Sequence, residues 1–268
     1  MLIVVKVGGS ILEEVPVLLV SDIKNVLSEH QLVLVHGGGK GVTAIASRLG
    51  KEQQFVISPT GFRSRYTDKE TMEIFTMVMA GKINKKIVTA LMKQHIPVVG
   101  LSGLDGALVQ ATRKKRLIIV DERGRKRVID GGYTGKVNQI NVSLLQLLLK
   151  NGFVPLVSPI ASSEKHEPLN VDADRTAASI AGALKADMLV LLTDVEGLKL
   201  DDKLVSKLSV DDVADKLKKI GGGMITKVYA AQEALNQGVG EVVICSGVRE
   251  NPISSALKHE GGTVISRE

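Results

Sequence analysis

The chain opens MLIVVKVGGS, an apolar run that carries Lys6 straight into Gly8, Gly9 and Ser10. A run of Ile and Val that stops at paired glycines predicts a buried parallel strand, a tight turn and the start of a helix. Burying an unpaired ammonium is costly, so Lys6 either snorkels out of an edge strand or meets an anion near the strand's end. The glycines fit the second outcome, because they let the backbone bring its N–H groups close to a phosphate. The same plan recurs at QLVLV, which ends in His36, Gly37, Gly38 and Gly39 before the helical stretch GKGVTAIASRLG. Two strand–glycine–helix units side by side predict a parallel sheet with anion-binding turns at the carboxyl ends of its strands. Neither turn matches GxGxxG or GxxxxGK(S/T), which argues against a dinucleotide fingerprint or a P-loop.

At 268 residues and 44% hydrophobic content, the chain can bury the core of one large α/β domain or of two lobes. Its single cysteine, Cys245, excludes an internal disulfide framework and a multi-cysteine zinc site. No leader-like segment and no run of membrane-spanning length is present, so the expectation is a cytoplasmic protein with no membrane partner. The net charge is +6, but aromatics make up only 3% and Trp is absent, which leaves few platforms for stacking bases; no nucleic acid is expected.

Past a short strand at Phe55 to Ile57, the loop SPTGFRSRYTDKET sets Arg63 and Arg65 around Ser64, with Thr67 or Asp68 placed to cap the next helix. Arginine forks suit carboxylates and phosphates, because they offer two parallel donors. One long helix is predicted from Lys69 to His95, its methionines filling core or meeting another subunit. IPVVGL then predicts a further buried strand. The stretch from Ala107 to Asp130 reads as a projecting β-hairpin with its turn near Gly124. Between Arg113 and Arg127 it carries eight basic residues against Asp121 and Glu122, a surplus of six that equals the whole net charge. Such a ribbon is either a solvated surface or a landing pad for an acidic partner.

In the second half, Asn170, Asp172 and Asp174 gather at the start of a small-residue helix, where carboxylates can cap the helix or do more. The strand DMLVLLTD ends in Thr193 and Asp194, a usual place for side chains that touch ligand in an open α/β sheet. GGGMITK puts three glycines ahead of a helix bearing Lys227, again a phosphate-like setting. His166 and Glu167 lack the spacing of a helical zinc pair, so no metal is assigned to them.

Taken in order, KVGGS, HGGGK, RYTD, LNVDAD, LTDVEG and GGGMITK resemble the motifs of the amino acid kinase family over nearly the whole chain. The likeness is greatest to the acetylglutamate kinase branch, and the extra arginine and the cationic hairpin resemble the kinases of carrier-protein lysine and arginine biosynthesis. This resemblance implies an α/β fold with an open, mostly parallel sheet sandwiched by helices, in two lobes with a projecting basic β-hairpin. A lobe of about residues 1–165 would hold the acid, and one of about 166–268 would hold ATP. It implies an ATP-dependent phosphotransferase, with Mg²⁺, that turns a side-chain carboxylate into an acyl phosphate. Lys6 and Lys227 would face the transferring phosphoryl group, with Asp174 orienting both. Gly8, Gly9, Thr193 and Asp194 would serve the nucleotide; Gly38, Gly39, Arg65 and Asn170 would serve the acid.

Arg63 would answer the further carboxylates of aminoadipate or glutamate carried on an acidic amino-group carrier protein, LysW, whose body would meet the hairpin. A homodimer is implied as well. Two other readings remain at this point: a kinase of free acetylglutamate, and a non-catalytic amino-acid or nucleotide sensor.

Overall fold

The apolar runs pair into one eight-stranded sheet whose first strand lies near the middle. The computed structural model describes residues 1–13, 15–213 and 222–267. In chain order the sheet strands are β1 (Leu2–Val7), β2 (Gln31–His36), β3 (Val98–Ser102), β4 (Val154–Ser158), β5 (Met188–Thr193), β6 (Lys207–Ser209), β7 (Glu241–Ser246) and β8 (Thr263–Ser266). Across the sheet they run β6-β8-β7-β5-β1-β2-β4-β3, and every neighbouring pair is parallel except β7 with β8. The chain steps from β1 to β2 on one side, while β5 continues to β7 on the other. A crevice therefore opens at the carboxyl ends of β5, β1 and β2, where the strand order reverses.

The α-helices among the described residues are α1 (Val17–Val26), α2 (Gly39–Arg48), α3 (Lys69–Thr76), α4 (Asn84–Met92), α5 (Ser143–Lys150), α6 (Ala173–Leu184), α7 (Gly222–Asn236) and α8 (Pro252–Leu257). Strand alternation sends Ile3, Val5 and Val7 into a core with α1, α4 and α8, and sends Val4 into a second core with α5, α6 and α7. The sheet is thus sandwiched by helices, as the sequence predicts. Lys6 shares the parity of Val4, so its side chain leaves the sheet on the α6 face. That placement decides what it meets.

Several local expectations change. Arg63 and Arg65 belong to a hairpin rather than a loop: Phe55–Ile57 pairs antiparallel with Arg63–Arg65, with Arg65 opposite Phe55. The turn is closed by Gly61 N–H to Ser58 O at 2.9 Å, with Gly61 at φ 84°. Asp68, not Thr67, caps α3, accepting from Thr71 N–H at 2.8 Å. The single helix predicted from Lys69 to His95 is α3, a π-helical stretch over Met77–Ile83, and α4, and it stops at Met92. His95 lies in the left-handed region at φ 60°, which a helix does not continue through. Met72 and Met79 fill core, whereas Met77 and Met92 are more than half exposed.

The strand from IPVVGL, β3, is a half-buried sheet edge rather than a buried strand. In the basic segment, only Arg116–Val120 and Lys126–Asp130 form the projecting hairpin, with Gly124 in its turn at φ 74°. Val109–Arg113 instead enters a second, four-stranded sheet with Gly135–Ile140, Ile160–Ser162 and Pro168–Asn170, because its alternate residues Val109 and Ala111 are buried.

The turns after β1 and β2 lie against each other. A Cβ on Gly9 would sit 2.6 Å from Gly38 N and 2.9 Å from Gly38 Cα, and backbone has no room to yield. Gly9→Ala is therefore expected to destabilise by about 1–3 kcal/mol through overpacking. Gly81→Ala, where a Cβ meets nothing within 4 Å, is expected to gain about 0.5–1 kcal/mol from helix propensity. Urea unfolding of the two variants should show these opposite signs.

Candidate active site

Asp174, in the first turn of α6, reaches back to β1 and across to α7. Its Oδ1 lies 2.8 Å from Lys6 Nζ, and its Oδ2 lies 3.0 Å from Lys227 Nζ. All three side chains are enclosed, at 7%, 7% and 13% exposure for Lys6, Asp174 and Lys227. Burial alone would push the Asp174 carboxyl up, but the Lys6 and Lys227 charges outweigh it and hold the group below the usual carboxylate range. Asp172 caps the same helix, accepting from Arg175 N–H at 2.9 Å. Two ammonium groups sharing one carboxylate keep spare N–H donors, which suit an anion.

Two cavities meet at this cluster. One, of about 830 Å³, is lined by Lys6, Gly9, Gly38, Gly39, Arg65 and Asn170 among others; the second, of about 700 Å³, is lined by Thr193, Gly197, Gly223 and Lys227. Asp194 borders both. In the larger cavity Arg65 is 7% exposed, and its guanidinium donates to Gly39 O at 2.8 Å, to Thr43 Oγ1 at 2.9 Å and to Gln53 Oε1. No carboxylate of the described residues pairs with it, and burial, helped by the Arg63 charge, lowers its pKa to about 10. Arg63 and Arg65 both stack on the Phe55 ring, 3.8 Å and 4.9 Å from its centroid. Asn170 Nδ2 donates to Thr67 Oγ1 at 2.9 Å, which ties the small sheet to the start of the α3 region. Lys114 lines the far wall, its pKa lowered by burial and then by the Arg175 and Lys136 charges.

The residues singled out in the sequence fall mostly here, with one correction, at Gly8. Gly8 donates its N–H to Leu192 O at 3.0 Å and borders neither cavity, so it shapes the turn and does not offer an amide to a phosphate. Gly9 borders the Arg65 cavity, next to Gly37–Gly39, rather than the Thr193 cavity. Thr193 donates to Asp194 Oδ1 at 3.2 Å. Of the three glycines ahead of Lys227, Gly222 and Gly223 lie in the first turn of α7, and Gly221 lies outside the described residues.

Other residues were not legible in the sequence. The Arg175–Glu233 pair joins α6 to α7, with Arg175 Nε donating to Glu233 Oε2 at 2.9 Å. Phe62, at the tip of the arginine hairpin, packs on Tyr229 of α7 with ring centroids 5.1 Å apart, so the arginine hairpin touches the helix that carries Lys227. These pairs join residues 58 and 167 positions apart, and nothing local marks them.

Replacing Asp174 by Asn strips the charge from between two enclosed ammonium groups. Breaking a buried pair in this way costs about 3–5 kcal/mol. Because the folded-state pKa is depressed, the Asp174 contribution is present above the unfolded carboxylate value of about 4 and is lost as pH falls through the lower folded value. Denaturant titrations of wild type and Asp174→Asn should therefore differ by several kcal/mol at about pH 7, and the gap should close in acid.

The model of the amino acid kinase family matches residues 1–246. A Cenarchaeum symbiosum protein, provisionally named a LysW-aminoadipate/LysW-glutamate kinase, is 54% identical over 264 residues, covering 98% of this chain and 99% of its own. The LysW-aminoadipate/LysW-glutamate kinase of Sulfolobus acidocaldarius is 46% identical over 265 residues, covering 98% of this chain and 100% of its own. Among solved structures, smu.665 from Streptococcus mutans UA159 superposes with a TM-score of 0.81 at 25% identity, covering 100% of this chain and 99% of that one. With its lysine pair, glycine turns and matched length, the chain belongs to the amino acid kinase family.

Proposed function

We propose that the protein is an ATP-dependent kinase that phosphorylates the side-chain carboxylate of aminoadipate or glutamate carried on an acidic amino-group carrier protein, LysW. The observation that carries this reading is Arg65: a buried guanidinium without a carboxylate partner among the described residues, in the cavity that Lys6 also lines. The names of relatives at 46% and 54% identity support the same substrate class. The segment of about residues 1–165 would take the acid and that of about 166–268 the nucleotide, within one continuous sheet.

The chemistry asks little covalent help of the protein. A carboxylate is already ionised at neutral pH, so no general base is needed. Arg65 would hold the main carboxylate of the acid, with Asn170 and Arg63 beside it. The reacting carboxylate would then point toward Gly38, Gly39 and Lys6. ATP would enter from the Thr193–Lys227 cavity with Mg²⁺ on its phosphates. As a carboxylate oxygen bonds to the γ-phosphorus, the bond to the β–γ bridging oxygen breaks and ADP leaves. Lys6 and Lys227 would share the charge on the phosphoryl oxygens, each held in place by Asp174.

The basic hairpin would meet the carrier. Arg125 and Arg127 are clamped to Asp121 at the turn, at 3.2 Å and 2.8 Å, which leaves Lys115, Arg116, Arg123 and Lys126 without a carboxylate partner among the described residues. The outward pair Ile118 and Val128 adds an exposed apolar strip. We also assign the protein to the cytoplasm, as a homodimer in which the exposed Met77 and Met92 contribute to the contact. No helix of the described residues is long and apolar enough to cross a membrane.

Acyl phosphate formation, measured with purified carrier bearing each acid and with acetylglutamate, tests the assignment. Turnover only on acetylglutamate would support the free-acid kinase, and none on any acid would support a sensor. Lys6→Ala and Lys227→Ala should each lower turnover about 100-fold or more. Changing Lys115, Arg116, Arg123 and Lys126 together to Ser spares the Asp121 clamp. It should reduce kcat/KM for the carrier-linked acid and weaken its salt dependence, while acetylglutamate turnover stays near wild type. Arg65→Ala should depress both activities.

A further inference from the structure

His36 ends β2 and leads directly into the Gly37–Gly39 turn, yet it is fully buried and touches neither cavity. Its Nδ1 lies 3.0 Å from Gly37 O, and its Nε2 lies 3.3 Å from Asn84 Nδ2. The orientation of the Asn84 amide is fixed by its surroundings. Asn84 Nδ2 faces Leu101 O at 3.2 Å and Leu156 O at 3.1 Å, which only accept, while Asn84 Oδ1 takes a bond from Lys85 Nζ at 3.2 Å, which only donates. Two amide hydrogens cannot serve three acceptors, but the Asn84 nitrogen accepts nothing, so a proton on His36 Nε2 would face a donor; Nδ1 therefore carries the proton and donates to Gly37 O. Burial, partly offset by the Gly37 bond and reinforced by the Lys85 charge, lowers the His36 pKa to about 4, consistent with a neutral ring.

The Gly37 carbonyl and the Gly38 N–H belong to one peptide unit, and in a trans peptide they point in opposite directions. There is no cis bond in the chain among the described residues. Holding Gly37 O toward His36 thus turns the Gly38 N–H the other way. Neither Gly38 nor Gly39 N–H has an acceptor among the described residues, and both residues line the cavity that holds Lys6. The π-helical stretch presses Met79 and Ile83 on Gly38, where a Cβ would collide with the Ile83 methyl. The same stretch ends at Asn84, so one irregular helix both packs the turn and sets the histidine tautomer.

We propose that His36 is a positioning residue: its Nδ1–H, fixed by Asn84, aims the Gly38 amide at the phosphoryl group in transfer. This rests on the kinase reading above. The chain's own amide is worth most when it is preorganised, and loosening it should cost about 10- to 100-fold in turnover.

The variants that test this differ in where they keep a polar group. His36→Asn can place a donor near the former Nδ1, His36→Gln can reach only toward the former Nε2, and His36→Ala has neither. We expect His36→Asn to keep kcat within about threefold of wild type, and His36→Gln and His36→Ala to lose about 10- to 100-fold in kcat with KM for the acid nearly unchanged. Nitrogen chemical shifts of the wild-type protein, which need no variant, should report a neutral ring protonated on Nδ1. Equal loss in the Asn and Gln variants, full turnover in the Ala variant, or an Nε2–H ring in the spectrum would overturn the proposal. If wild type itself forms no acyl phosphate, the kinase reading fails; the nitrogen spectrum then still decides the tautomer.

Discussion

One buried carboxylate bridging two lysines holds this molecule's functional parts in register. Lys6 comes from the first strand, Asp174 from the start of α6, and Lys227 from α7, and each pair is within 3.0 Å. Desolvating three charges is costly. Replacing all three together by apolar residues of similar volume is often neutral or stabilising. The arrangement makes sense where a polyanion arrives to complete it, because fixed positive charges in an enclosed site need not reorganise as charge moves in the reaction.

The sheet makes that convergence geometrically simple. With β5 and β2 flanking β1 in parallel, the residues after all three strands emerge at the same end and on adjacent rows. Gly8 N–H bonds Leu192 O, and Gly37 N–H bonds Val7 O at 2.9 Å, so the first atoms beyond the strands continue the ladder before the turns diverge. Glycine is required at Gly9, where the turns touch, and at Gly38, where Ile83 and Met79 press on the backbone. The arginine hairpin then packs Phe62 on Tyr229, which gives the Arg65 side of the cavities a physical contact with the Lys227 helix.

The sequence was most informative where chemistry is local. Apolar runs ending in glycines marked β1 and β2, and of the two outcomes the sequence left open for Lys6, the structure shows the buried ammonium meeting an anion, Asp174. The resemblance named the lysines, Asp174, Arg65 and Asn170, and the structure gathers them around adjoining cavities. Less legible were features set by distant packing. The π-helical stretch has the same apolar spacing as an ordinary helix, so its extra residue per turn left no signal in the pattern. Arg63 and Arg65 looked like loop residues because a three-residue strand is too short for alternation to register. Gly8 and Gly9 looked equivalent, yet a ladder bond to Leu192 engages one amide and leaves the other at the cavity wall. Arg125 and Arg127 counted as free charge in the composition, but the turn geometry brings Asp121 to both.

In the proposed reaction Lys6 and Lys227, held by Asp174, converge on a single phosphoryl group between the acid and the nucleotide. A crystal structure of the protein with Mg²⁺, ADP, tetrafluoroaluminate and the carrier-linked acid would show whether they do. The planar fluoroaluminate is expected between the two ammonium groups, with the Gly38 amide donating to it and Arg65 on the acid's main carboxylate. A fluoroaluminate seated elsewhere in the cavities, or bound with either lysine turned away, would contradict it.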